Sequence, residues 1–428
     1  MGYLYQLGYP DQFDRMTGAC LFHPFPIAEE PPCTVWADSP DNLSQLITSI
    51  GLPITGFVTP HLKTACDQWI HTVRQRLDTH LQPERLPPMS IQFGYCPPIF
   101  AHPGSGFFRT PAFERLDPGK VLSLSILADK LGYDSLWVAD HLMLGRDQAI
   151  LEGWTMLSVL AGATTKARLG LIHQATQFRN PALMAKMAAT LDLLSGGRFI
   201  WFADPGGSKP ETVAYGLPWF DSADERLDRF EEALDLVLAL WRGGQPINSV
   251  GTHFPVLNAI CEPAPVQQPH PPIWMGSTTP RMHEICAKYG QGWNSTPVSV
   301  EQLQKVLQDL REACTRVGRD YETIEKTLEI QLLIASDMAG VRAQLLQMIQ
   351  IDREIRPVSE ALQAFLAGDT DELPEDMAKT WLAGTPEQVE QRIREYVDEG
   401  ITHFMLWIVD APSEAGLRLF AEAVKPRF

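Results

Sequence analysis

The sequence predicts an α/β fold built on a parallel sheet, and three observations carry that prediction. Apolar runs alternate with helical patterns from about residue 91 to the end of the chain. The runs are continuously apolar rather than alternating, as expected when helices cover both faces of a sheet. Residues 168–207 show the whole unit: an apolar run at 169–172, a polar stretch, a helical pattern, and a second apolar run at 199–203. Asn180-Pro181 suits the start of that helix, because proline at the first turn gives up a donor that would lack a partner anyway. Gly196-Gly197 stops it.

With 428 residues, 45% hydrophobic and 20% charged, the chain can form one large domain with an attachment, or two domains. A net charge of −17 and a pI near 5.1 argue against nucleic acid and anionic membranes as partners, since both repel an acidic surface. No apolar run approaches the ~18 residues of a membrane span, and the first residues lack a basic start followed by an apolar stretch, so a cytoplasmic protein is expected. The seven cysteines (Cys20, Cys33, Cys66, Cys96, Cys261, Cys286, Cys314) are odd in number and contain no C-x-x-C pair, which favours reduced thiols over a disulfide framework or zinc site. Cys96, just after the first apolar run, is either a small buried residue or faces a pocket.

Residues 1–88 are set apart by proline and turn residues up to Pro40, two helical patterns (41–50 and 61–81), and a closing Pro87-Pro88. His61, His71 and His80 do not share a helix face, so they read as surface residues rather than metal ligands. The segment is either a lid or subunit-contact arm, or a helical appendage. Residues 91–95 read as the first strand, followed by a long loop, 96–116, carrying Phe100, His102, Phe107, Phe108 and Arg109. A helix at 118–131 ends at Gly132, and a second strand at 134–139 leads into Asp140 and His141. A histidine titrates near neutrality and can exchange a proton with a reacting group, and an adjacent carboxylate can orient it or bind the group itself.

A helix to about residue 165 precedes the unit at 168–207. Polar residues His173, Gln174, Thr176, Gln177, Phe178 and Arg179 break its first apolar run, and its second run ends at Asp204-Pro205-Gly206-Gly207. Residues 224–242 form a periodic amphipathic helix of scaffold type. After a strand at 272–276, Ser277, Thr278, Thr279 and Pro280 open a helix, and free donors at such a start make an anion site or an ordinary cap. Further strands are expected at 292–295, 328–335 and 401–408, with an insertion at 337–380 that is either a lid or a solvated helical hairpin. Thr385 and Gln388 form a capping box. The strands number eight.

Several of these stretches resemble the luciferase-like flavin-dependent oxidoreductases. The residues concerned are N-P-A-L-M-A-K-M-A-A-T-L-D-L-L-S-G-G-R (180–198), W-V-A-D-H (137–141), P-V-Q-Q-P-H-P-P-I-W-M-G (265–276), G-W-N (292–294) and G-T-P-E-Q-V (384–389). That family includes bacterial luciferases, alkanesulfonate monooxygenases and dehydrogenases using the deazaflavin F420. The resemblance implies a (β/α)8 TIM barrel with insertions over residues 89–428, and a helical N-terminal extension at 1–88. It implies reduced FMN or coenzyme F420 as cofactor, a small organic substrate, and either monooxygenation or hydride transfer. A homodimer is compatible with it.

Polar residues at the carboxyl ends of barrel strands carry the chemistry of this fold. The resemblance therefore assigns catalysis to Asp140 and His141. It assigns cofactor binding to His173, Gln174, Thr176, Asp204, Gly206, Gly276, Ser277 and Thr278, with the phosphate at Gly276, Ser277 and Thr278. No metal is implied. A cis peptide is expected after the third strand. Two departures stand out: Asp204 intrudes where relatives keep bare backbone, and an acid that some F420 enzymes carry falls on Gly207. They motivate a rival reading, a barrel that has lost flavin chemistry and serves as a binding or non-redox protein.

Overall fold

The computed structural model describes residues 90–102, 108–276, 278–351 and 359–428. The segment 1–88, with His61, His71 and His80, and Ser277 lie outside those residues. Eight parallel strands close on themselves: β1 (Gln92–Tyr95), β2 (Ser135–Ala139), β3 (Arg168–Ile172), β4 (Phe199–Asp204), β5 (Ile273–Gly276), β6 (Gly292–Ser295), β7 (Glu325–Ile334) and β8 (His403–Ile408). Each pairs with the next, and β8 returns to β1 with Phe93 opposite Phe404. The expected (β/α)8 barrel is the observed fold.

The helices follow from local signals. Helix α1 (Pro118–Leu131) begins at Asp117, whose carboxylate accepts from Lys120 N at 3.1 Å, and ends at Gly132 with φ 82°. α2 is Gly153–Ala163. α3 (Pro181–Ser195) is capped by Asn180, which accepts from Ala182 N at 2.9 Å, and stops at Gly196 in the left-handed region. A short α4 (Lys209–Ala214) and the long α5 (Ala223–Trp241) follow β4, α6 (Pro280–Tyr289) follows β5, and α7 (Val300–Val317) follows β6. α8 (Met338–Ile351), α9 (Glu360–Ala367) and α10 (Glu375–Thr380) make the insertion after β7; α11 (Pro386–Asp398) and α12 (Ala415–Ala423) complete the ring. The insertion is no solvated hairpin. Val341, Leu345, Met348, Leu362, Phe365 and Met377 form a satellite core with Leu333 and Val409.

The barrel interior is filled by indoles. Trp137 and Trp274 stack with ring centroids 4.9 Å apart, and a Cβ on Gly170 would lie 2.2 Å from Trp137 while one on Gly292 would lie 2.5 Å from Trp274. Glycine on the neighbouring strand therefore makes the space that each ring occupies. Below the rings, the first residues of β2, β3, β7 and β8 form one buried polar chain. Arg168 lies 3.9 Å from Glu325, Glu325 meets His403 Nδ1 at 3.2 Å, His403 Nε2 meets Ser135 Oγ at 2.7 Å, and Trp137 Nε1 donates to that Oγ at 2.7 Å.

Candidate active site

At the carboxyl end of β2 the chain delivers Asp140 and His141 to different partners. Asp140 is buried. Its Oδ2 accepts from Arg179 NH1 at 2.7 Å and from Ala175 N at 3.0 Å, and its Oδ1 accepts from Arg179 NH2 at 2.9 Å. Burial pushes its carboxyl up, while the two-pronged guanidinium pulls against it. Arg179 also reaches Glu152 at 2.7 Å, tying the loop after β3 to the start of α2. Asp140 thus orders the corner and does not orient His141.

The carboxylate on His141 is Glu211, from α4. Its Oε1 lies 2.9 Å from His141 Nδ1, and its Oε2 accepts from Leu142 N at 2.7 Å. Burial raises the Glu211 pKa, but the His141 hydrogen bond and the Leu142 amide outweigh it and bring the value to about 2. An ionised carboxylate only accepts, so Nδ1 carries the imidazole proton and Nε2 is the nitrogen left to exchange one. The His141 side chain keeps 33% of its surface exposed. Position 207 carries no acid; the carboxylate that meets His141 comes from Glu211, in the first turn of the following helix.

The corner between β3 and β4 gathers the other expected residues. The Ile172–His173 peptide is cis, where the resemblance places one. The His173 ring packs edge-on against Phe202 at 4.5 Å, with Nε2 3.8 Å from Glu329 Oε2, and burial holds its pKa below the usual imidazole value. Gln174 is 1% exposed, yet neither end of its amide bonds to a described residue; the same holds for Thr176 Oγ1, His173 Nε2 and Glu329 Oε2. Such atoms cost about 1–3 kcal/mol each when left without partners, so their grouping marks a place built for a polar ligand. Asp204 Oδ1 accepts from Gly206 N at 2.7 Å, closing its own turn, with Gly206 at φ 83°, and its carboxylate stays near enough to His173 to favour the charged imidazole.

Three functional candidates were missed in the sequence. Glu211 is one. Glu329, buried in the middle of β7, accepts from Trp407 Nε1 at 2.6 Å and pairs with Arg109 at 3.4 Å. Arg109, recognised only as a loop residue, lies against Phe108 and Trp407 at 4.5 and 5.3 Å. Thr327, Glu329 and Gln331 alternate with Leu328, Ile330 and Leu332, and that alternation was the available signal for residues turned into the barrel. Cys96 is a buried thiol pushed well up by burial, then by Glu329. Cys261, Cys286 and Cys314 are buried free thiols too, and Cys20, Cys33 and Cys66 lie outside the described residues.

At β5, Gly276 is buried beside His173, Thr278 is exposed, and Thr279 and Pro280 open α6 as expected. Among the described residues no group of three His, Cys, Asp or Glu could hold a metal, and no helix is long and apolar enough to cross a membrane.

Comparison with known proteins supplies a family. The model described as luciferase-like monooxygenase matches residues 98–403. An F420-dependent glucose-6-phosphate dehydrogenase of Amycolatopsis mediterranei is 26% identical over 324 residues, covering 73% of this chain and 96% of that protein. A phthiodiolone/phenolphthiodiolone dimycocerosates ketoreductase of Mycobacterium bovis is 28% identical over 355 residues, covering 70% and 91%. The crystal structure of a monooxygenase from Streptomyces bottropensis superposes with a TM-score of 0.61 at 25% identity, covering 79% of this chain and 99% of that one.

Proposed function

The chain belongs to the luciferase-like monooxygenase family, and from that premise we propose that it is an oxidoreductase using coenzyme F420 or reduced FMN, with His141 as its proton-handling residue. The observation that carries the reading is the cluster of buried polar atoms without partners around Gln174, His173 and Glu329, beside the His141–Glu211 pair. These residues suit a planar, hydrogen-bonding ring system, with Gln174 and Thr176 supplying donors and acceptors to it. His173, Gly206, Gly276 and the start of α6 at Ser277 and Thr278 would hold the remainder of the cofactor, and Asp204 would shape the turn that carries Gly206.

Reduced F420 supplies a hydride to a substrate, whereas reduced FMN supplies electrons to oxygen. On either route Glu211 fixes the imidazole of His141 and leaves Nε2 to give or take a proton, which is general acid–base work. Asp140 acts through Arg179 as a positioning residue. The dehydrogenase similar to this chain supports F420, and the monooxygenase of known structure supports oxygen chemistry, which reduced FMN would serve, as the second reading. The rival, a barrel without redox chemistry, rested on Asp204 and Gly207. The family match speaks against that rival, and the Asp204–Gly206 turn and the Glu211–His141 contact support the same choice.

Parallel anaerobic titrations with reduced F420 and reduced FMN, followed by visible absorbance, test the reading. A saturable spectral change with at least one cofactor is expected; none with either at millimolar concentration ends it. Residues 1–88 are proposed as an appendage to the barrel of residues 89–428, because all eight strands begin at Gln92 or later. Deleting them should leave a cooperative melt. We further propose a cytoplasmic enzyme acting on a small molecule, as the acidic composition suggests, and light scattering of the purified protein tests for a homodimer.

A further inference from the structure

The wall of the barrel mouth across from the β3–β4 corner carries polar groups to which no role has been given. In a ring of eight strands β7 stands opposite β3, and the two walls meet where Glu329 Oε2 lies 3.8 Å from His173 Nε2. Gln331 follows two residues further along β7, on the same face, and is 3% exposed; its Oε1 bonds to no described residue. Arg109 arrives on this wall from the loop after β1. Its NH2 lies 3.4 Å from Glu329 Oε1, and its Nε is buried and likewise bonds to no described residue.

The backbone, not a flexible side chain, sets where Arg109 stands. It is the central residue of a three-residue turn that Thr110 N closes on Phe108 O at 2.8 Å, and its φ of 57° lies in the left-handed region that favours glycine. Such a conformation persists only where its surroundings hold it. Here Thr110 Oγ1 donates to Phe100 O at 3.3 Å, and Ala112 is buried with Leu333 and Val409 in the satellite core. The guanidinium then sits 5.3 Å from the Trp407 ring and 4.5 Å from that of Phe108, which is 41% exposed. A strained turn thus fixes a cation beside a buried carboxylate, with open aromatic surface next to it.

The three groups ask for one kind of partner. Arg109 Nε only donates, whereas the oxygens of Glu329 and Gln331 accept. A hydroxyl does both, so one such group can satisfy Arg109 and one of the two oxygens together. A carboxylate or phosphate would meet the Glu329 carboxylate, and a hydrocarbon would leave all three atoms buried without partners. The two charges on this wall also balance, which suits a neutral ligand.

We propose that Arg109, with Glu329 and Gln331, determines substrate specificity and selects a neutral hydroxyl group carried on an apolar body. Arg109 Nε donates to the hydroxyl oxygen, the hydroxyl donates to Glu329 or Gln331, and Phe108 lies along the carbon frame. A cofactor ring held by Gln174 and Thr176 from the opposite corner leaves this wall to the substrate. That assignment to the substrate rests on the oxidoreductase reading; recognition of the hydroxyl does not.

Phenol, anisole and toluene share a ring and differ in the group at issue. Their binding to the full-length protein is measured by ligand-observed NMR, first without cofactor and then with saturating F420 or FMN. Phenol is expected to bind about tenfold tighter than toluene, with anisole, which accepts but cannot donate, in between. R109M should abolish that preference and leave toluene binding unchanged, whereas a general disturbance of the barrel mouth would weaken all three probes. A thermal melt checks that the variant folds; if it does not, Q331L should narrow the preference for phenol by about threefold.

Equal binding of phenol and toluene overturns the proposal, as does no binding of any probe under both conditions. A folded R109M that keeps the preference also overturns it, and so does Q331L if that variant has to stand in and keeps the preference in full. Displacement of phenol by F420 or FMN would give the wall to the cofactor and end the assignment to a substrate. If neither cofactor binds while phenol still binds through Arg109, the oxidoreductase reading fails and hydroxyl recognition stands.

Discussion

The two ends of the barrel carry the same kinds of polar side chain and treat them in opposite ways. At the amino-terminal end, Arg168, Glu325, His403, Ser135 and Trp137 are linked in one chain in which each member meets the next. Burial pushes the Glu325 carboxyl up, but the His403 hydrogen bond and the charges of His403 and Arg168 together keep it below the usual range. At the carboxyl-terminal end, Glu329 again stands near a histidine and an arginine, but its Oε2, His173 Nε2 and both ends of the Gln174 amide bond to no described residue. A buried polar group is stable only when satisfied. The lower set is satisfied within the chain and serves the fold, whereas the upper set suits the binding role proposed for it.

Substitutions can break or sharpen that contrast. The largest effect is expected at His141: the Ala variant should lose at least about tenfold in turnover, within the range of general acid–base contributions, while still folding cooperatively. Turnover within about twofold of the parent would remove His141 from the mechanism. Next, His403→Ala strips the partner from a buried carboxylate and should cost about 3 kcal/mol in urea unfolding, without altering cofactor affinity once folded. A loss below about 1 kcal/mol would mean that the lower chain contributes no more than a surface pair.

Gln174→Leu should do the reverse. Removing an unsatisfied amide leaves stability unchanged or raises it by about 1 kcal/mol, while cofactor affinity falls by about tenfold. A variant that binds cofactor as the parent does would place the ring away from Gln174. The smallest effect concerns pH. Glu211, brought from 4.5 to about 2, contributes stability that is fully present above about 4.5 and is lost as pH falls through about 2. The stability difference between the parent and Glu211→Gln should therefore shrink across that window, and a constant difference would contradict the pairing with His141.

The strands were legible because each is a short apolar run bounded by turn residues, and their limits fell within three residues of those observed; β7 begins at Glu325 rather than 328. Helix α7 went unread although its signals were local: Ser299 and Gln302 form a capping box, and Leu303, Leu307, Leu310 and Cys314 share its buried face. Helix α12 and the antiparallel hairpin of Ile247–Ser249 with Val256–Ala259 were also passed over. The site was legible only where its residues follow directly on a strand, as Asp140, His141, His173 and Gln174 do. Pairings across long sequence separations, Glu211 with His141 and Arg109 with Glu329, leave no periodic trace, because the fold and not the neighbouring sequence brings them together. The local bond of Asp204 to Gly206, only two residues away, was overlooked for the opposite reason, in favour of a role at the cofactor.

The stacked indoles at the centre of the barrel impose a condition on how this chain can change over time. Trp137 fills space that a Cβ on Gly94 or Gly170 would enter, at 2.7 and 2.2 Å, and Trp274 does the same at Gly292. Enlarging any of these glycines alone forces overpacking, at about 1–3 kcal/mol, and shrinking a tryptophan alone opens a void at about 3–5 kcal/mol. Neither single step is neutral, so these positions are expected to covary: a lineage that trades Trp137 for a smaller ring gains room for a side chain on β1 or β3. The floor beneath the ligand site is in this sense one heritable unit spread over five strands.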